Sequence, residues 1–126
     1  LMHIQTLKES PRNHRGGQIS YLLLAKNQFS SENLVVTWVE CSPGSAQGSH
    51  AHLDNEQAYV IVRGQGQMVV DNEEQLVGPG TIVFVPKNTH HLIRNIGEEP
   101  LLYISATSPP LSITQSPQGF TPPANS

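Results

Sequence analysis

Short β-prone runs recur along this chain, and nearly every one ends in turn chemistry. Ile19–Lys26 is compact and apolar, and Leu34–Cys41 (LVVTWVEC) is rich in β-branched and aromatic residues. The latter closes on Ser42-Pro43-Gly44. Gln57–Arg63 ends at Gly64, Gln67–Val70 at Asp71-Asn72, and Glu74–Val77 at Gly78-Pro79-Gly80. Thr81–Val85 ends at Pro86-Lys87-Asn88, His91–Asn95 before Gly97, and Leu101–Ala106 before Ser108-Pro109-Pro110. Val, Ile, Thr and aromatic side chains suit a pleated, half-buried surface. Pro fixes φ and Gly tolerates positive φ, so both serve at turns. No segment sustains a 3.6-residue apolar period over several turns. This rhythm predicts an all-β sandwich or barrel without a long helix.

A chain of 126 residues suits one domain. Ten Gly and ten Pro are many for turns but too few for a collagen-like or low-complexity chain. The net charge of -3, with no Lys/Arg cluster, excludes a nucleic-acid grip. The longest apolar runs, such as Tyr21–Ala25 and Ala58–Val62, have five residues, far short of the ~20 of a membrane helix. A lone Cys41 has no internal disulfide partner, and no cationic, apolar leader opens the sequence. A reducing cytoplasm is therefore expected.

Three regions follow. Residues 1–17 read as a polar N-terminal arm, 18–107 as the barrel domain and 108–126 as a Pro/Ser-rich C-terminal tail. Pro excludes the tail from a central strand. It reads either as a mobile terminus or as a segment that packs Leu111, Ile113 and Phe120 over the barrel or a second subunit.

Histidines gather at 50, 52, 90 and 91. In an extended chain His50 and His52 project from the same face, an arrangement that suits a metal with nitrogen ligands. Gly44 precedes His50 by six positions, and Gly64 follows Gln57 by seven. A second group reads Gly80, Pro86, Asn88, His91 and Asn95.

GSAQGSHAHLDNEQAYVIVRG, from Gly44 to Gly64, and GTIVFVPKNTHHLIRN, from Gly80 to Asn95, together resemble the two signature motifs of the cupin superfamily. The resemblance implies a double-stranded β-helix, or jelly-roll β-barrel, with a metal site inside. It places His50, His52, Gln57 and His91 at ligand positions. There are two departures. The acidic ligand position, counted back from Gly64, holds Gln57 rather than Glu. Strand parity agrees, because it groups Gln57, Tyr59, Ile61 and Arg63 on one face and turns Glu56 away, although a bulge would swap the two faces and make Glu56 the ligand. Asn88 stands where the motif has Gly, and Asn tolerates left-handed φ. His90 falls on the face opposite His91, and His3 and His14 belong to the arm.

Three neutral imidazoles and an amide leave a divalent ion with nearly its full charge, which favours an anionic or enolisable substrate. Such ligands suit one divalent transition metal ion among Fe, Mn, Ni, Zn, Co and Cu. The resemblance implies a small-molecule enzyme, with a dioxygenase-like oxidoreductase as the first expectation. A metal-dependent isomerase or lyase on a sugar or keto acid is the second, and a non-catalytic ligand-binding barrel the third. Tyr59 is the candidate catalytic acid or hydrogen-bond donor. Ile61, Ile93, Met68, Phe84, Trp38 and Tyr103 are candidate lining. Cys41 reads as buried and inert. Family habit also implies a homodimer that exchanges Ile19–Lys26 and the arm before it.

Overall fold

The computed structural model describes residues 1–46, 51–110 and 120–123. Nine strands form: β1 (Arg12–Arg15), β2 (Gln18–Leu24), β3 (Val35–Cys41), β4 (Glu56–Arg63), β5 (Gly66–Val70), β6 (Glu73–Val77), β7 (Ile82–Val85), β8 (His91–Asn95) and β9 (Leu101–Ser108). The eight β-prone runs become β2 to β9. β1 has no such run and forms within the 1–17 segment, turning back onto β2 through Gly16, whose φ is 58°. Among the described residues the helical content is one short 3₁₀ turn at Gln28–Ser30, and no helix is long and apolar enough to cross a membrane.

The strands make two antiparallel sheets. One has the order β1-β2-β3-β9-β4-β7 and the other β6-β5-β8. This is the jelly-roll arrangement. Alternation puts every second side chain into the space between the sheets. Along β9 the pattern is regular, with Leu101, Tyr103, Ser105 and Thr107 buried and their neighbours partly exposed. The core joins Val39, Cys41, Tyr59, Ile61, Met68, Ile93, Leu101 and Tyr103. β2 pairs with β3 of its own chain over most of its length.

Parity fails at one point in β4. The register shifts between Ile61 and Arg63, so Arg63 pairs with the outward-facing Leu102. This bulge inserts one residue and flips the phase of the strand after it. Arg63 therefore leaves the face of Gln57, Tyr59 and Ile61 and is exposed. The strand ends at Gly64, with φ 84°, where a Cβ would stand 2.5 Å from the Pro100 carbonyl oxygen.

Of the candidate lining, Met68, Ile93 and Tyr103 are buried, whereas Trp38 and Phe84 point outward. Trp38 precedes the inward-facing Val39 and donates its indole N–H to Glu40 on the same outer face. Phe84 precedes the inward-facing Val85 and is 55% exposed.

Asn95, the last residue of the second motif, ties the end of β8 to its surroundings. Its Nδ2 donates to the carbonyls of Cys41 and Glu99, and its Oδ1 accepts from the Gly97 N–H. Thr121 of the tail exchanges two backbone hydrogen bonds of 2.8 Å with Arg12. Phe120, Pro122 and Pro123 line one cavity together with Pro11, Leu22 and Ala25. Leu111 and Ile113 lie outside the described residues. Arg12 also gathers the arm, donating from Nη2 to the Leu7, Lys8 and Ser10 carbonyls while its guanidinium rests over the Tyr21 ring.

Candidate metal centre

β4 and β8 come from opposite sheets, and each sends buried side chains into the space between them. β8 begins at His91, which is 1% exposed. The turn before it depends on Asn88, whose φ of 53° is left-handed. The Asn88 N–H donates to the His52 carbonyl at 2.7 Å, so the two motif segments are bonded to each other directly. His52 and His91 rings approach edge to face, with centroids 5.6 Å apart. His90 is exposed, as alternation requires.

A backbone carbonyl can only accept, so the 2.9 Å contact between His91 Nδ1 and the Thr89 carbonyl puts the ring proton on Nδ1. In the neutral imidazole the lone pair then lies on Nε2. A histidine that ligates a metal through Nε2 needs that tautomer, held by an outer partner of this kind.

Gln57 is buried at 7% exposure, while Glu56 is exposed. Its Nε2 donates to Ser105 Oγ at 3.4 Å and to Thr107 Oγ1 at 3.1 Å, both inward residues of the neighbouring strand β9. The carboxamide is thereby oriented, and its Oε1 is buried without a hydrogen-bond partner among the described residues. A buried oxygen left in that state costs free energy unless something meets it. A divalent ion would, so the donor set fits a metal on this observation.

Tyr59, two residues along the same face, packs its ring edge to face on His91 at 5.8 Å and tilted against Tyr103 at 5.2 Å. Burial pushes its phenol far above the usual tyrosine range, so it stays a neutral donor at physiological pH. Tyr103 accepts from Gln18 Nε2, which also reaches Cys41 Sγ. Cys41 is buried, and burial raises its thiol pKa, which leaves it a poor nucleophile.

Of the four residues expected to hold a metal, the structure brings His52 and His91 together and puts Gln57 on the inward face of the same barrel. His50 lies outside the described residues. Among the described residues no three His, Cys, Asp or Glu side chains form a metal-holding cluster. Among all the described residues the buried polar side chains are those of Ser10, Gln57, Thr89, His91, Asn95, Ser105 and Thr107, none with a carboxylate, ammonium or guanidinium. The sequence reading missed Ser105, Thr107 and Thr89. The first two are visible as an alternating Tyr103-x-Ser105-x-Thr107 pattern, but nothing local says that they face Gln57.

An uncharacterized protein of Methanocaldococcus jannaschii, MJ1618, is 32% identical over 83% of this chain and 84% of its own length. A glucose-6-phosphate isomerase of Pyrococcus furiosus is 36% identical over 61 residues, 44% of this chain and 32% of that enzyme. This chain thus aligns with about a third of the isomerase. Oxalate decarboxylase of Bacillus subtilis, whose structure is described with Mn(II) centres, superposes with a TM-score of 0.72. It is 23% identical and covers 79% of this chain and 28% of its own, which shows the fold alone. The Cupin domain family matches residues 37–107. That match covers more than half of the sequence and agrees with the two-sheet barrel, so the chain belongs to the cupin family.

Proposed function

We propose that this protein is a metal-dependent enzyme that acts on a small anionic or enolisable molecule inside the barrel, with dioxygenase-like oxidoreductase chemistry. The observation that carries this reading is the buried, oriented and unmet Oε1 of Gln57, in a barrel whose described buried polar groups are uncharged. His50, His52, Gln57 and His91 would hold the ion. One divalent transition ion would supply Lewis acidity and open positions for a substrate and a second reactant.

The chain's own residues do the rest. A neutral ligand set and a neutral lining favour a substrate that brings its own negative charge. Tyr59, kept protonated by burial, offers a hydrogen bond to charge that develops on a substrate oxygen. Its contact with His91 holds it close to the centre. The buried aromatic and aliphatic side chains exclude water, which strengthens each polar contact inside. The unpaired Cys41 suits a reducing compartment such as the cytoplasm.

The names of the isomerase and decarboxylase relatives favour a second reading, isomerase or lyase chemistry on a sugar or keto acid. The experiment that separates the two begins with anaerobic loading of Fe(II), followed by metal analysis. Oxygen uptake is then measured with small diketones, thiols and phenols, and sugar-acid conversion is followed without oxygen. Uptake supports the first reading; conversion in its absence overturns it in favour of the second. His91→Ala should remove the bound metal and His90→Ala should retain it. Equal loss in both would overturn the ligand assignment.

A further inference from the structure

Two hydroxyl protons inside the barrel have no acceptor among the described residues. The Gln57 carboxamide nitrogen carries two N–H bonds, and it donates to Ser105 Oγ at 3.4 Å and to Thr107 Oγ1 at 3.1 Å. A hydroxyl that accepts in this way keeps its own O–H to donate. Neither Ser105 nor Thr107 has a further hydrogen bond among the described residues. Both side chains face inward, at 7% and 5% exposure. A buried donor left unmet costs free energy, so this pair is poised for a ligand.

Geometry and charge limit what that ligand can be. Both hydroxyl oxygens sit within hydrogen-bond distance of one nitrogen, so both can reach the two oxygens of one small group. Register places Thr107 opposite Gln57 and Ser105 opposite Tyr59, which keeps the pair on the row of inward side chains that runs to the proposed centre. A carboxylate only accepts, and it takes one O–H on each oxygen. A carboxamide would bring N–H bonds to one of the two positions, and a ketone would fill just one. A phosphate ester calls for a guanidinium or ammonium, and no such group is buried among the described residues.

We propose that Ser105 and Thr107 form a carboxylate subsite, which makes the substrate a small carboxylic acid. The inference rests on the metal reading above, because a carboxylate in an uncharged barrel needs a cation to offset its charge. Gln57 then serves at both ends: its Oε1 faces the ion, and its two N–H bonds set both hydroxyls as donors. Hydrogen bonds in such a chain strengthen one another.

Zn(II) keeps one oxidation state, so it separates binding from turnover. The zinc-loaded protein is titrated calorimetrically with pyruvate, pyruvamide and butane-2,3-dione. These are alike in size and carry a carboxylate, a carboxamide and a methyl ketone at the same position. Zinc per chain is measured alongside, and pyruvate should bind most tightly. Ser105→Ala, and Thr107→Val at a zinc concentration that fills its site, should each weaken pyruvate about 10-fold and the dione less than about twofold, the scale of one charge-assisted hydrogen bond. Thr107→Ser, which keeps the hydroxyl, should hold pyruvate within about twofold of the parent protein. Pyruvate affinity indifferent to both hydroxyl removals, at full zinc content, would overturn the subsite alone. Equal weakening of pyruvate and the dione would do the same, since it marks a general disturbance of the barrel. A parent protein that takes up no zinc would overturn the metal reading and the subsite with it.

Discussion

The buried Gln57 carboxamide is held by two hydroxyls, and on the proposed reading it stands where the family motif has a carboxylate. Ser105 and Thr107 accept from its amide, and the same hydroxyls can donate to a carboxylate. Gln57→Glu should therefore fold normally and hold a divalent ion more tightly, as competition with a chelator would measure. Thr107→Val should weaken retention about 10-fold or more, the usual scale for loss of an outer partner. Retention unchanged by Thr107→Val would mean that the hydroxyl does not orient the amide. Parity in the sequence separates Gln57 from Glu56 and His91 from His90, because alternation is a local property. The hydroxyls are not legible in that way. They lie 48 and 50 residues from Gln57 and become its neighbours only through β4–β9 pairing.

At the level of elements, two backbone irregularities decide which side chains face the barrel interior. The left-handed Asn88 turn sets the start of β8, and its residue type already allows for that conformation. The β4 bulge keeps Gln57, Tyr59 and Ile61 inside while moving Arg63 out, and nothing in QAYVIVR announces it. A bulge arises from the way a strand meets its neighbour, here the bend toward Gly64. That glycine combines a positive φ with close approach to Pro100 and Leu101. Gly64→Ala should lower stability by about 2 kcal/mol or more, since both a strained φ and a steric clash are introduced. Urea unfolding would measure it. A change below about 0.5 kcal/mol would mean that the turn relaxes freely.

The whole molecule carries a pH signature that belongs to its core. Burial raises the pKa of the Cys41 thiol and of the Tyr103 phenol. Unfolded, these groups ionise near about 8.5 and about 10. Folded, they keep their protons to higher pH, so the native state binds more protons in the alkaline range. Their stabilising contribution is complete below those values and is lost as pH rises through them toward the folded ones. The melting temperature should therefore fall above about pH 9, and Tyr103→Phe should reduce the fall above about pH 10, the buried Tyr59 phenol supplying the remainder. A flat alkaline profile in the parent protein would contradict the burial of both groups. Strands β2 to β9, the turns between them and the inward parity of Gln57 and His91 were legible in the amino-acid order, because side-chain alternation and turn chemistry act over a few residues. Tertiary structure alone decided that Ser105 and Thr107 hold Gln57, that Arg63 turns outward and that Trp38 and Phe84 line an outer face rather than the barrel. Each of these depends on which strands become neighbours and in what register, and that is set when two sheets close on a shared core.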